Sequence, residues 1–264
     1  MLTWMPFLTP NEPAALTIER PQGKSDILLV CDHASRLIPR SLGTLGLDEV
    51  HLASHVAWDI GAAGVARQLS SLLDATLILQ NYSRLVIDCN RPPGSATSIP
   101  VQSEYARITG NDALTRDAAH ERAAAIFTPY HEVIRSTLDR RRDDGRRTLL
   151  VAVHSFTPVY LGQARQWQVG LMYRHDRRLG RALLKLLRAD ADLCVGDNEP
   201  YAISDTTDYT LPFHGESRRI AHVGIEIRQD LLADETGQHD WAARLAQLLS
   251  RAASQVLDEQ PESH

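Results

Sequence analysis

The chain has 264 residues, 43% of them hydrophobic, and a formal charge of −5. That composition belongs to a packed globular protein and excludes a disordered chain. The acidic balance, with a pI near 6.1, gives no electrostatic reason to expect a nucleic-acid partner.

In chain order, residues 1–24 are proline-rich (Pro6, Pro10, Pro13, Pro21) and are expected to lie over the surface. Met1–Pro6 has neither the basic start nor the cleavage site of a signal peptide. Ile27–Cys31 is a run of apolar residues that reads as a strand buried on both faces, and it stops on Asp32-His33. Residues 36–47 read as a loop and 48–57 as a short helix. Trp58-Asp59-Ile60-Gly61 opens a firmer helix, with Asp59 at the N-cap or first turn and Val65, Leu69, Leu72 and Leu73 on one face. Residues 76–80 and 84–89 read as two strands separated by Asn81-Tyr82-Ser83. Asn90-Arg91-Pro92-Pro93-Gly94 ends the second.

Residues 95–111 form a long irregular stretch, and loops of that length inside a domain tend to be functional. Residues 112–142 are mostly helical with a kink expected at Pro129. The basic clusters Arg140–Arg142 and Arg146-Arg147 read as a solvated helix end and loop. Residues 148–153 form an apolar strand that stops on His154-Ser155. A strand over 167–173, an amphipathic helix over 176–189 and a short strand over 193–195 follow. Gly196 opens a polar loop that runs to about Arg219. Residues 222–228 form a strand carrying Glu226, and 241–256 the last helix.

Strands alternating with helices predict one α/β domain over 1–264, its sheet covered by helices on both faces. Ligands of such sheets bind outside the carboxyl ends of the strands, where His33, Asn90, His154 and Asp197 are expected. The three cysteines, Cys31, Cys89 and Cys194, are far apart with no Cys-x-x-Cys spacing, which fits buried thiols in a reducing compartment. No stretch approaches the ~20 apolar residues that span a bilayer. The cytoplasm is the expected location, with no membrane partner.

Two buried strands that each end in histidine can bring two imidazoles to one sheet edge. A catalytic zinc site needs about three His, Asp or Glu ligands and an open position for water. His33 and His154 are the first two candidates, for one Zn2+ per chain. The third is Asp59, aimed from a helix start, or alternatively Asp32. Glu226 sits in the otherwise apolar Val223–Arg228, where a carboxylate is costly to bury unless paired or used. It is either a general base or a structural partner of an arginine. Arg84 and Arg91 are candidate clamps for a substrate carboxylate, since a guanidinium makes two parallel hydrogen bonds to one.

Several segments together resemble the N-formylglutamate amidohydrolase family, in its divergent branch. They are Cys31-Asp32-His33-Ala34-Ser35, Trp58–Gly61, Ser83–Pro92, Val153-His154-Ser155-Phe156, Gly196–Tyr201 and Gly224–Leu231. The resemblance implies a zinc-peptidase-like (phosphorylase/hydrolase-like) three-layer sandwich with a mixed, mostly parallel sheet. By position it implies His33 and His154 at zinc, the latter followed by Ser155 as a substrate-binding residue, Glu226 as base and Asn90-Arg91 on a substrate carboxylate. Zinc peptidases of this kind take their acidic ligand from His-x-x-Glu, and here that position is Arg36, so the acid must come from elsewhere. Asp197, Asn198, Tyr201 and His214 are expected around the pocket. The implied reaction is hydrolysis of an N-formyl or other N-acyl amino acid, such as N-formylglutamate, to formate and the free amino acid. A same-fold hydrolase of another amide or small peptide, or a non-catalytic binding relative, stays open.

Overall fold

The structure, a computed structural model, describes residues 7–258. The expectations for Met1–Pro6 lie outside the described residues. A seven-stranded sheet forms the middle layer. In chain order its strands are β1 (Leu16–Glu19), β2 (Ile27–Cys31), β3 (Thr76–Gln80), β4 (Leu149–Phe156), β5 (Val169–Met172), β6 (Val195–Asp197) and β7 (His222–Arg228). Across the sheet they run β1-β3-β2-β4-β7-β5-β6. β2 pairs in parallel with β3 and β4, β4 with β7, and β5 with β6. β1 on β3 and β5 on β7 are antiparallel.

The all-apolar runs become the central strands because both faces of the sheet are covered. Ile27, Leu29 and Cys31 of β2 point into one core layer, and Leu28 and Val30 into the other. The first layer holds α2 (Ala62–Leu73), α5 (Arg178–Leu187) and α6 (Glu235–Asp258), with α2 and α5 both packed on α6. The second is closed by α4 (Thr128–Asp143) and the buried segment Tyr82–Cys89, while α3 (Arg116–Arg122) buries only Arg122 and α1 (Glu49–Ala53), capped by Asp48, carries no buried residue. No helix among the described residues is long and apolar enough to cross a membrane.

Several expectations change. Part of the proline-rich start is a strand, β1, which covers the edge of β3. Residues 84–89 are not a strand: Leu85, Val86 and Ile87 are buried in a loop. The backbone there is satisfied by distant side chains, Asn111 donating to the Leu85 carbonyl and Arg122 to that of Val86. The helical stretch breaks at a wide π-type turn, Ala123–Phe127, just ahead of Pro129, whose missing N–H and ring cannot continue a regular ladder. Arg141 is not solvated but buried, donating to the carbonyls of Ser25 and Ile27. Cys31 and Cys89 are buried free thiols, whereas Cys194 is exposed.

Candidate metal centre and active site

Alternation within the strands delivers the central side chains. On β4, Leu149, Val151 and Val153 face the α2–α6 layer, so His154 falls on the opposite face with Leu150 and Ala152. On β7, Val223, Ile225 and Ile227 do the same, which leaves Glu226 on the face of His154. The two strands are in register there, Glu226 lying directly across from His154. His33 follows the end of β2, and its carbonyl accepts the backbone N–H of Asp59. Asp59 is not the N-cap of α2. Gly61 takes that position at φ 77°, a conformation costly for other residues. A Cβ at Gly61 would also meet the Leu232 Cβ at 2.4 Å. The turn ahead of the helix is thereby free to send Asp59 inward.

There the Asp59 Oδ2 lies 3.4 Å from His33 Nδ1 and 2.9 Å from His154 Nδ1. The three donor atoms all fall within 4.8 Å of one another, and all three residues are buried. Ligands at ~2.0–2.1 Å around a tetrahedral ion stand about 3.4 Å apart, so the set is close to chelating geometry. The far nitrogens are fixed too. His33 Nε2 meets Asp88 Oδ1 at 2.8 Å, and His154 Nε2 lies 3.3 Å from Asp32 Oδ2. With a cation bound, a proton on each Nε2 would leave each Nδ1 lone pair free to ligate, the arrangement that orients metal-binding histidines. Asp32, the alternative ligand, therefore stands behind His154. Its other oxygen accepts from Tyr130 Oη and Thr210 Oγ1, each at 2.8 Å.

Without a cation, the trio is held together by charge. Burial opposes ionisation of Asp59, yet Arg84 and His33 outweigh it and hold its carboxyl well below the usual range. Burial likewise opposes a proton on His154, but hydrogen bonds to Asp32 and Asp59 hold its pKa well above the ordinary value. The Arg84 guanidinium rests against the trio, contacting His33 Nδ1 and lying 3.2 Å from Asp59 Oδ1. Two imidazole nitrogens and a carboxylate that draw in a guanidinium, with carboxylates behind them, form a donor set suited to a divalent cation.

These residues line a cavity of about 460 Å³. Glu226 is in its wall, and its Oε2 is buried with no hydrogen-bond partner among the described residues. Burial, together with the nearby Asp59 charge, pushes the Glu226 carboxyl up to about 7 against the pull of His154 and Arg84. Arg228, the arginine nearest in sequence, does not pair with it but turns outward to Asp230 at 2.8 Å. Arg84, Asn90, Arg91, Ser155 and Tyr201 also line the cavity. Two of them are committed elsewhere. The Asn90 Oδ1 accepts the N–H groups of Tyr209 and Thr210, both at 3.1 Å. Ser155 gives its Oγ–H to the Ile60 carbonyl at 2.8 Å and its N–H to Asp59 at 3.3 Å, so it buttresses the aspartate.

Three expected pocket residues fall outside. Asp197 accepts from the Tyr173 hydroxyl and Asn198 from the Tyr173 N–H. They sit at β6, the outer strand of the sheet, because the site gathers at the central strands instead. His214 is buried behind the cavity, where its Nε2 meets His131 Nδ1 at 3.0 Å. Conversely, the cavity includes His55, Ser103, Glu104, Tyr160, Thr207 and Asp208, which no motif in the sequence marks. Ser103 and Glu104 come from a small hairpin, Gln102–Ser103 with Ala106–Arg107, in the long irregular stretch whose length points to function. Asp88 leaves one signal, an acid inside the apolar Leu85–Cys89.

A glutamate and a His–Asp–His trio that could hold a metal share one cavity at the carboxyl edge of the sheet, a donor set that suits a hydrolase. The sequence agrees with that class and narrows it: the N-formylglutamate amidohydrolase family model matches residues 25–233. The chain belongs to that family. Its fold is similar to that of a gene product of Agrobacterium tumefaciens, with TM-score 0.92 and 42% identity over 95% of this chain and 99% of that one. It is also similar to an N-formylglutamate amidohydrolase from Ralstonia eutropha JMP134, with TM-score 0.68 and 19% identity over 94% and 100% of the two chains. No curated protein matches the sequence closely enough to count as a relative.

Proposed function

We propose that the protein is a metal-dependent amidohydrolase that removes an N-formyl or other N-acyl group from a small amino-acid substrate. The observation that carries this reading is the buried His33–Asp59–His154 trio beside the unpaired Glu226 carboxylate. His33, Asp59 and His154 would hold one divalent cation, with zinc first because two imidazoles and a carboxylate suit it. When bound, that ion polarises the acyl carbonyl and acidifies water.

Glu226 is the general base. It takes a proton from the attacking water and hands it to the nitrogen as the C–N bond breaks. The products are the carboxylic acid, formate for a formyl group, and the free amine of the amino acid. Arg91 receives the substrate carboxylate through its fork. Asp88, with an oxygen 3.8 Å from Arg91 Nε, helps hold it in place. Arg84 lies nearer the trio and steadies the acyl oxygen as negative charge develops there. Asp32 and Asp88 hold the two imidazoles in the ligating tautomer.

We place this activity in the cytoplasm, in one domain, where the thiols of Cys31 and Cys89 stay reduced. The test is formate release from a panel of N-formyl amino acids by zinc-loaded protein, with Glu226→Gln as control. Absence of release from every N-acyl amino acid, by protein shown to contain metal, would defeat the reading.

A further inference from the structure

The cavity wall includes Pro200, Tyr201 and Ala202, from the loop that follows β6. That loop does not stay at the outer strand. Asn198 ties it to the β5 side, its N–H donating to the Leu171 carbonyl and its Oδ1 accepting the Tyr173 N–H, both at 2.9 Å. The chain then passes over Gly170 and Gly196, where a Cβ on either residue would collide with the Glu199 carbonyl. Gly170 stands directly across from Glu226 in the antiparallel pair of β5 and β7, so the two share one face of the sheet. Two missing side chains thus let Glu199–Tyr201 lie on the Glu226 side of the sheet.

Arg165 holds the Tyr201 hydroxyl. Its guanidinium lies 4.6 Å from the Tyr160 ring centroid and 4.7 Å from that of Tyr201, and its Nη1 donates to the Tyr201 Oη at 2.7 Å. The Arg165 backbone is fixed as well. Its N–H donates to the Pro158 carbonyl at 2.8 Å, at the base of the hairpin Val159–Tyr160 with Gln163–Ala164. A phenol oxygen that accepts from a guanidinium cannot return its own proton to it. Among the described residues that proton has no acceptor. Accepting a charge-assisted hydrogen bond also makes the O–H a stronger donor. Burial and the Glu226 charge hold the Tyr201 pKa above its ordinary value against the pull of Arg165 and Arg84, so the hydroxyl keeps its proton at neutral pH.

We propose that Tyr201 is a further catalytic residue, its O–H donating a hydrogen bond to the acyl oxygen alongside Arg84 as the planar amide becomes tetrahedral, and that Arg165 is the positioning residue that aims it. The inference rests on the amidohydrolase reading of the site. Charge builds on that oxygen in the transition state more than in the bound substrate, so the contact raises kcat rather than lowering KM. Tyr201→Phe removes one oxygen and keeps the ring beside Arg165. In zinc-loaded protein acting on N-formyl-L-glutamate it should lower kcat at least ~10-fold, with KM changed by less than about threefold. Arg165→Gln should lower kcat in the presence of Tyr201 and add nothing in the Tyr201→Phe protein, whereas a merely structural Arg165 would slow both proteins alike. Wild-type kcat in Tyr201→Phe overturns the proposal and leaves the hydrolase reading standing, and so does a loss confined to KM.

A binding measurement reads the same contact without turnover. N-(methylphosphonyl)-L-glutamate carries a tetrahedral anionic group where the substrate has its planar acyl carbon. By calorimetry, zinc-loaded wild type should bind it at least ~10-fold more tightly than Tyr201→Phe does. In the Glu226→Gln background, N-formyl-L-glutamate should bind alike with and without Tyr201→Phe. Equal binding of the phosphonyl compound by the two proteins, or none by the wild type, counts against the inference. Tighter binding by the wild type without formate release would sink the hydrolase reading and leave the Tyr201 contact standing.

Discussion

Asp88 is where a small change should have a large and specific effect. Its Oδ1 accepts from His33 Nε2 and from the Asn90 N–H, both at 2.8 Å. Burial opposes ionisation of Asp88, but His33, Arg84 and Arg91 hold its pKa well below the usual carboxylate range. Asp88→Asn keeps the volume and one acceptor oxygen. That oxygen can satisfy Asn90 or His33 as before, but the negative charge is gone. The proton on His33 Nε2 is then held less firmly, and a tautomer with the proton on Nδ1 cannot ligate. Loss of such a partner typically weakens metal affinity ~10–100-fold, which corresponds to about 1.4–2.7 kcal/mol. The assay is zinc titration against a competing chelator, run alongside thermal unfolding of the metal-free proteins. Wild-type zinc affinity in a folded Asp88→Asn protein would refute the reasoning. An equal loss of stability in the metal-free state would mean that Asp88 acts on the fold rather than on the ligand.

Other outcomes follow from the same geometry. Glu226→Gln should lower kcat by ~10²–10⁴-fold while leaving zinc stoichiometry unchanged, as expected for a lost general base. In kcat/KM the wild type should gain activity as pH rises through the Glu226 titration. That value is about 7 without metal and moves lower once a cation is bound beside it. Because His154 holds its proton well above the ordinary range without metal, zinc uptake should release a proton and tighten as pH rises. Calorimetry in buffers of different ionisation enthalpy measures that release. Burial lowers the pKa of His131 to about 4 and of His214 to about 3, the latter aided by its histidine neighbour. Their folded values lie below the unfolded ~6.5. Each therefore contributes stability that is full above that value and is lost at about 1.4 kcal/mol per pH unit as pH falls toward the folded value. Urea unfolding between pH 7 and 4.5 should show this slope, and His214→Asn should flatten it.

Much of the sheet can be read from the chain because β2, β4 and β7 are buried on both faces, and such strands are continuous apolar runs. The same rule misplaces residues 84–89. Leu85-Val86-Ile87 looks like a buried strand, but its carbonyls are met by Asn111 and Arg122, side chains whose proximity no local pattern reveals. His33, His154 and Glu226 are legible because a polar residue that ends or interrupts a buried apolar strand must be paired or put to use. Asp59 is legible too, but by a different route from the one its position suggests. It reaches the site from a turn that Gly61 makes possible, not from a helix cap. Asp197 and Asn198 are misplaced because a strand end says nothing about whether the strand is central or outer. Glu104 and Asp208 depend on how the long loops fold back over the site, which is a tertiary fact.

The proposed chemistry turns on joint retention of one cation by His33, Asp59 and His154. Its most direct measurement is the metal content of wild-type and His154→Ala proteins after equilibration with zinc and removal of excess, read together with formate release from N-formyl amino acids. One zinc per wild-type chain is expected, with activity that chelation abolishes and zinc restores, and neither bound metal nor activity in the folded variant. Stoichiometric zinc retained by His154→Ala, or full wild-type turnover after complete chelation, would contradict it.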